Sequence, residues 1–168
     1  MKAFFCAFPY RNEHGTMTNG DYIVKGGMTM QQPSLVELMI PSDKVAHVQV
    51  GNHLEHALLV LTRTGYSAIP VLDMTYKLQG LISMTMIMDA ILGIERIEFE
   101  RLETMKVEQA MQRNIPRLHV NDSFLKALKL LIDHPFVCVE NDDGYFVGIV
   151  TRREILKRFN RSMYEKRQ

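Results

Sequence analysis

Two adjacent arginines, Arg152 and Arg153, follow Thr151 at the end of the apolar run in "FVGIVTRREIL". Neighbouring cations repel, so such a pair needs either open solvent or an anion between its members. A strand that ends at Thr151 and opens directly into a helix would aim unpaired backbone N–H groups, and the positive end of the helix dipole, at one spot. Guanidinium groups added there suit the oxygens of a phosphate ester. The competing interpretation is a solvated helix start, and the dipole argues against it because cations are disfavoured at that end.

Other groupings offer less chemistry. His53 and His56 stand three apart, but no third ligand or Cys/His spacing completes a metal set, so they read as surface residues. Glu98 and Glu100 lie in a charged stretch whose plain reading is a solvated face. With no Gly-rich phosphate loop, no G-x-S-x-G nucleophile and no zinc spacing, the chain is not expected to be an enzyme. The 20 basic residues nearly balance the 19 acidic ones for a net charge of +1. That argues against a broad nucleic-acid footprint, so an anion site must be local.

Apolar residues make up 46% and charged residues 23% of the 168 residues, ordinary values for a globular protein that needs no membrane span. Cys6 and Cys138 are far apart, and Cys138 sits in "PFVCVE", the habitat of a buried thiol in a reducing cytoplasm. The first apolar stretch is too short for a secretory signal. Residues 1–33 are expected to form an irregular extension, rich in Gly, Asn, Thr and Gln, and "KGGMTM" suggests a translation start at Met28 or Met30.

The elements that must position the arginines come as an internal repeat. "HVQVGNHLEHALLVLTRTGYSAIPVLDMTYKLQGLISMTMIMDAILG" is matched by "RLHVNDSFLKALKLLIDHPFVCVENDDGYFVGIVTRREILKRF". Val50 aligns with Val120, Ala57 with Ala127, Leu58 with Leu128, Leu61 with Leu131, Tyr66 with Phe136 and Ile69 with Val139. Gly80 to Ser83 then align with Gly148 to Thr151. Each copy reads β-α-β-β-α: a short alternating strand, an amphipathic helix with Asn52 or Asn121 placed to cap it, two strands around a turn, and a closing helix. The methionines of "SMTMIMDAI" read as core or as a dimer face. The fold class is α+β (α/β), with the two copies packed as one body.

The unit, with "TGYSAIPVLD" and a Gly-apolar-apolar-Ser/Thr strand end that opens a helix, resembles the CBS domain, and two units resemble a CBS pair or Bateman module. The resemblance implies CBS domain 1 at 34–94, a connector at 95–106, CBS domain 2 at 107–160 and a C-terminal tail at 161–168. "DKVAHVQVGNHLEHALLVLTRTGYSAIPVLD", "GIERIEFE", "FVCVENDD" and "TRR" are similar to stand-alone bacterial CBS pairs that bind cyclic di-AMP. That likeness implies a cytoplasmic homodimeric sensor whose partners are the (p)ppGpp synthetase/hydrolase and pyruvate carboxylase; the alternatives are a generic AMP/ATP energy sensor and a ligand-free protein-interaction module. The implied ligand positions are Lys44, Ala46, Tyr66, Ser67, Ala68, Ile69, Arg152 and Arg153.

Chemistry agrees with that set. Lys44 would add to the anion trap, Tyr66, Ala46 and Ile69 would wall an adenine, and Ser67 with backbone groups would read its polar edge. Family members carry Ser/Thr followed three residues later by Asp for the ribose. Thr151 with Glu154 nearly matches that pattern, whereas Ser83 with Met86 does not. Val137 and Val139 are better suited to packing than to reading a base. One competent cleft is therefore expected, built from the front of repeat one and the end of repeat two.

Overall fold

The computed structural model describes residues 21–24, 28–31 and 33–165. Within the expected extension, β1 (Asp21–Val24) and β2 (Met28–Gln31) pair antiparallel, Asp21 with Gln31 and Val24 with Met28. Residues 1–20 and Cys6 lie outside the described residues, as does the remainder of that stretch between the strands.

The two copies follow the expected order. Repeat one contains β4 (Val48–Gln49), α2 (Leu54–Thr64), β5 (Ala68–Leu72), β6 (Leu78–Ser83) and α3 (Met84–Ile91). Repeat two contains β7 (Arg117–His119), α6 (Phe124–Asp133), β8 (Phe136–Glu140), β9 (Phe146–Thr151) and α7 (Arg152–Glu165). In each, a parallel pair is followed by an antiparallel one, β4-β5-β6 and β7-β8-β9. Helix α7 continues through most of the stretch expected as a tail.

Apolar spacing explains the helices. Leu54, Ala57 and Leu61 of α2, and Ala127 and Leu131 of α6, fall on one face and are buried. Strands β6 and β9 bury alternate residues, with Leu78, Gly80 and Ile82 matching Phe146, Gly148 and Val150. The caps differ from expectation. Asn52 and Asn121 do not cap; α2 starts at His53 without a side-chain cap, and Ser123 caps α6 by accepting from the Lys126 N–H. Asn52 instead ties the preceding turn through the Gln49 N–H, a role Asp122 takes with His119.

The repeat alignment also needs one correction. Through the helices Ala57 matches Ala127, but in the following strands Ala68 and Phe136 take equivalent places, opposite Ser83 and Thr151. The chain of repeat two is two residues shorter after α6, so Tyr66 corresponds to His134, not Phe136, and Ile69 to Val137, not Val139.

The lead-in segments cross over. Before repeat one, α1 (Leu35–Leu38) and β3 (Met39–Pro41) join repeat two: β3 pairs with β9, and Leu35 and Leu38 sink into its core. Before the strands of repeat two, the connector forms α4 (Arg101–Thr104) and the start of the expected second domain forms α5 (Val107–Ala110). Val107 and Met111 join the core of repeat one, while Gln112 bridges to Leu81. Glycine is required where each crossing segment passes. A Cβ on Gly148 would overlap the Ile40 carbonyl oxygen, and one on Gly80 would overlap that of Gln112. A third cluster, Val45, Leu72, Leu78, Ile115, Cys138 and Phe146, joins the repeats.

Candidate functional site

The expected ligand residues come from three places. A 3-10 turn (Ser42–Lys44) follows β3 and packs beside β9, carrying exposed Lys44 toward repeat two. Ala46 is half-buried against the core of repeat one. At the front of β5, Tyr66 is 49% exposed and Ser67 is exposed, while Ala68 is half-buried. The side chain of Ile69 is 0% exposed in the core of repeat one, because β5 is covered on both faces.

At the end of repeat two, Thr151 opens α7 with its hydroxyl accepting from the Glu154 N–H at 3.2 Å, the cap that the strand-to-helix transition demands. Ser83 does the same for α3, accepting from the Met86 N–H at 3.2 Å. The two arginines diverge. Arg152 donates from Nε to the Leu131 carbonyl at 2.8 Å and from Nη2 to that of Ile132 at 3.1 Å, which places its charge on the end of α6. Among the described residues, the side chains of Arg153 and Lys44 make no hydrogen bond or ion pair. Glu154 pairs with Lys157 at 2.6 Å.

Arg152 and Arg153 border a groove of about 620 Å³ along α7, shared with Pro135, Leu156, Lys157 and Asn160. Of the expected ligand residues only these two arginines line it; Lys44, Ala46, Tyr66, Ser67, Ala68, Ile69, Thr151 and Glu154 do not. The other four lining residues were not expected from sequence. Arg153, Leu156, Lys157 and Asn160 recur at helical spacing, so the helix face was available as a signal.

A second cavity, about 140 Å³, lies between the repeats and is lined by Ala68, Leu81, Met86, Gln112, Ile115 and residues 134–138. Under the corrected alignment this is the mate of the expected cleft. Leu81 and Met86 stand where repeat two has Ile149 and Glu154, and Phe136 stands where repeat one has Ala68. Val137, Cys138 and Val139 are buried, as their counterparts Ile69, Pro70 and Val71 are, so the difference between the two clefts lies in half-buried Phe136, which puts apolar bulk where repeat one has Ala68. Burial pushes the Cys138 thiol up to about 12, which makes it an inert wall.

No helix among the described residues is long and apolar enough to cross a membrane. Residues 36–93 and 107–161 each match the CBS domain. The chain is 56% identical over 139 residues to Cyclic di-AMP receptor B of Bacillus subtilis, covering 80% of this chain and 95% of that protein. It is similar to the solved structure of a hypothetical conserved protein from Geobacillus kaustophilus, with 71% identity, TM-score 0.76, and coverage of 79% and 99% of the two chains. It is also similar to the Listeria monocytogenes CbpB protein in complex with c-di-AMP, with 57% identity, TM-score 0.74, and coverage of 79% and 98%.

Proposed function

The chain belongs to the CBS domain family, and from that premise we propose that it is a cytoplasmic, homodimeric receptor for cyclic di-AMP that regulates partner enzymes. The observation that carries this reading is Arg153 at the opening turn of α7, exposed and without a side-chain hydrogen bond or ion pair among the described residues, on a chain whose net charge is only +1. A localised cation at a helix start on a chain of balanced charge matches a compact dianionic ligand better than a polyanion.

In this reading Arg153, Lys44 and the opening turn of α7 hold the phosphodiesters. Tyr66, Ala46 and Ala68 wall an adenine. Ser67, Thr151, Glu154 and the Ile69 backbone offer polar contacts. The mate cavity, at about 140 Å³, is well below the volume of a nucleotide cleft, so one ligand per chain is proposed. The proposed partners are the (p)ppGpp synthetase/hydrolase and pyruvate carboxylase. The protein acts by binding, without catalysis of its own. Linkage requires that nucleotide and partner weaken each other by the same factor if they prefer different states.

Calorimetry and thermal shift with cyclic di-AMP, AMP, ATP and cyclic di-GMP test the ligand. Selective stabilisation by cyclic di-AMP, lost in Arg153→Ala, is expected. Equal or tighter binding of AMP or ATP would instead make the protein an adenine mononucleotide sensor. Partner affinity unchanged at saturating nucleotide would remove the regulatory part.

A further inference from the structure

The arginines at the start of α7 differ in what they touch, and that difference originates in the lost residues after α6. Helix α2 closes with Gly65 in the left-handed region, φ 70°, its N–H donating to the Leu61 carbonyl. Helix α6 has no glycine there: His134 follows in extended conformation, its N–H donating to the Leu130 carbonyl at 3.1 Å, and the last turn contains no basic residue. Pro135, next in the chain, has no N–H to offer the Leu131 carbonyl, so that carbonyl and the one of Ile132 take donors from elsewhere. Arg152 supplies them with Nε and Nη2 on Leu131 and Ile132, while its backbone N–H donates to the Pro135 carbonyl at 2.9 Å. A cation is unfavourable at the start of its own helix but favourable at the end of another, and Arg152 spans both. The corresponding residue of repeat one, Met84, has no donor to offer in this way.

We propose that Arg152 is a positioning residue: it clamps the end of α6 to the start of α7, so fixing the direction of Arg153, and Arg153 supplies the charge to the phosphodiester. The division explains how two neighbouring guanidinium groups coexist, since each has its own counter-charge. The inference rests on the cyclic di-AMP reading for its second half and on the α6 geometry alone for its first.

The test uses the full chain with Arg152→Ala, Arg152→Lys and Arg153→Ala, measuring the ligand-free melting temperature and the affinity for cyclic di-AMP at two ionic strengths. Both Arg152 variants are expected to melt roughly 3–6 °C lower without nucleotide, because lysine cannot span two carbonyls as the planar fork does. Both should lose about tenfold in affinity through misplacement of Arg153, and Arg152→Lys, which keeps the charge, should keep the wild-type dependence on salt. Arg153→Ala should leave the ligand-free melting temperature unchanged, lose affinity and flatten the salt dependence. Rescue of affinity by Arg152→Lys, or a flattening of the salt dependence by Arg152→Ala as large as that by Arg153→Ala, would overturn the division and make Arg152 a phosphate ligand. An unchanged ligand-free melting temperature in Arg152→Ala would overturn the clamp. Failure of the wild type to bind cyclic di-AMP would refute the ligand reading and the role assigned to Arg153, with the clamp still judged by melting temperature.

Discussion

Gly148→Ala strikes the point where β3 crosses onto repeat two. The added methyl would overlap the Ile40 carbonyl oxygen and stand 2.7 Å from Met39 Cγ, whereas carbon contacts are comfortable at roughly 3.5–4.0 Å. The Met39 side chain can swing away, but the Ile40 carbonyl belongs to a strand paired with β9 and can move only with its backbone. One response is local strain, costing about 1–3 kcal/mol as overpacking does. The other is detachment of β3 with α1, which would expose Leu35 and Leu38, now 1% and 5% exposed, at roughly 1.5–3 kcal/mol each. The cheaper response sets the outcome, so a loss of about 2–3 kcal/mol is expected. Urea unfolding should show a midpoint roughly 1–2 M lower, with unchanged slope for strain and a reduced slope for detachment. Gly80→Ala should behave alike, because its methyl meets the Gln112 carbonyl. A midpoint within error of wild type for Gly148→Ala would refute the view that the crossing segments are held tightly.

Thr151→Ala removes the hydroxyl that accepts from Glu154 and should cost about 1 kcal/mol, read as a lower melting temperature that Thr151→Ser restores. The Cys138 thiol, pushed up to about 12 by burial, stays protonated in the fold while the unfolded chain ionises near its usual pKa of about 8.5. Stability from this group is therefore unaffected below that value and declines as pH rises from there toward 12. In a Cys6→Ser background, disulfide-exchange labelling of Cys138 should occur only as the protein unfolds. Asp73 is held below the usual carboxylate range, first by the Thr75 hydroxyl and then by the Lys77 N–H, with further donation from Thr75 N–H and Gln79. Its stabilising effect is present above the ordinary value of 3.8 and is lost as pH falls through the depressed one. Acid unfolding of Asp73→Asn should accordingly depend less on pH in that range.

The repeat grammar was legible because apolar spacing encodes both period and face: Ala57 and Leu61 announce α2 as Ala127 and Leu131 announce α6. The two-residue slip after α6 was hidden because Tyr66 against Phe136 and Ile69 against Val139 are plausible apolar pairs under the wrong alignment. Only the pairing of Ala68 with Ser83 and Phe136 with Thr151 exposes it. The full burial of Ile69 was hidden for a related reason, since a residue type alone does not distinguish a half-buried strand from one covered on both faces. Arg152 and Arg153 stood out from sequence as a pair, but their separation depends on carbonyls at the end of α6, a neighbour that the linear order does not reveal. The crossing of β3 and α1 was invisible because its partners lie roughly 80 to 120 residues away.

That crossing also fixes an order of events during synthesis. The strand Met39–Pro41 leaves the ribosome early, yet its partner β9 ends at Thr151. At ordinary elongation rates of about 5–20 residues per second, an unpaired edge and two leucines wait on the order of ten seconds for it. Closing so large a loop slows folding further, because its entropy is lost before the contacts reward it. A cut in the connector would likewise leave each half without the residues that complete its core, so neither repeat is a piece that can be excised, shuffled or expressed alone.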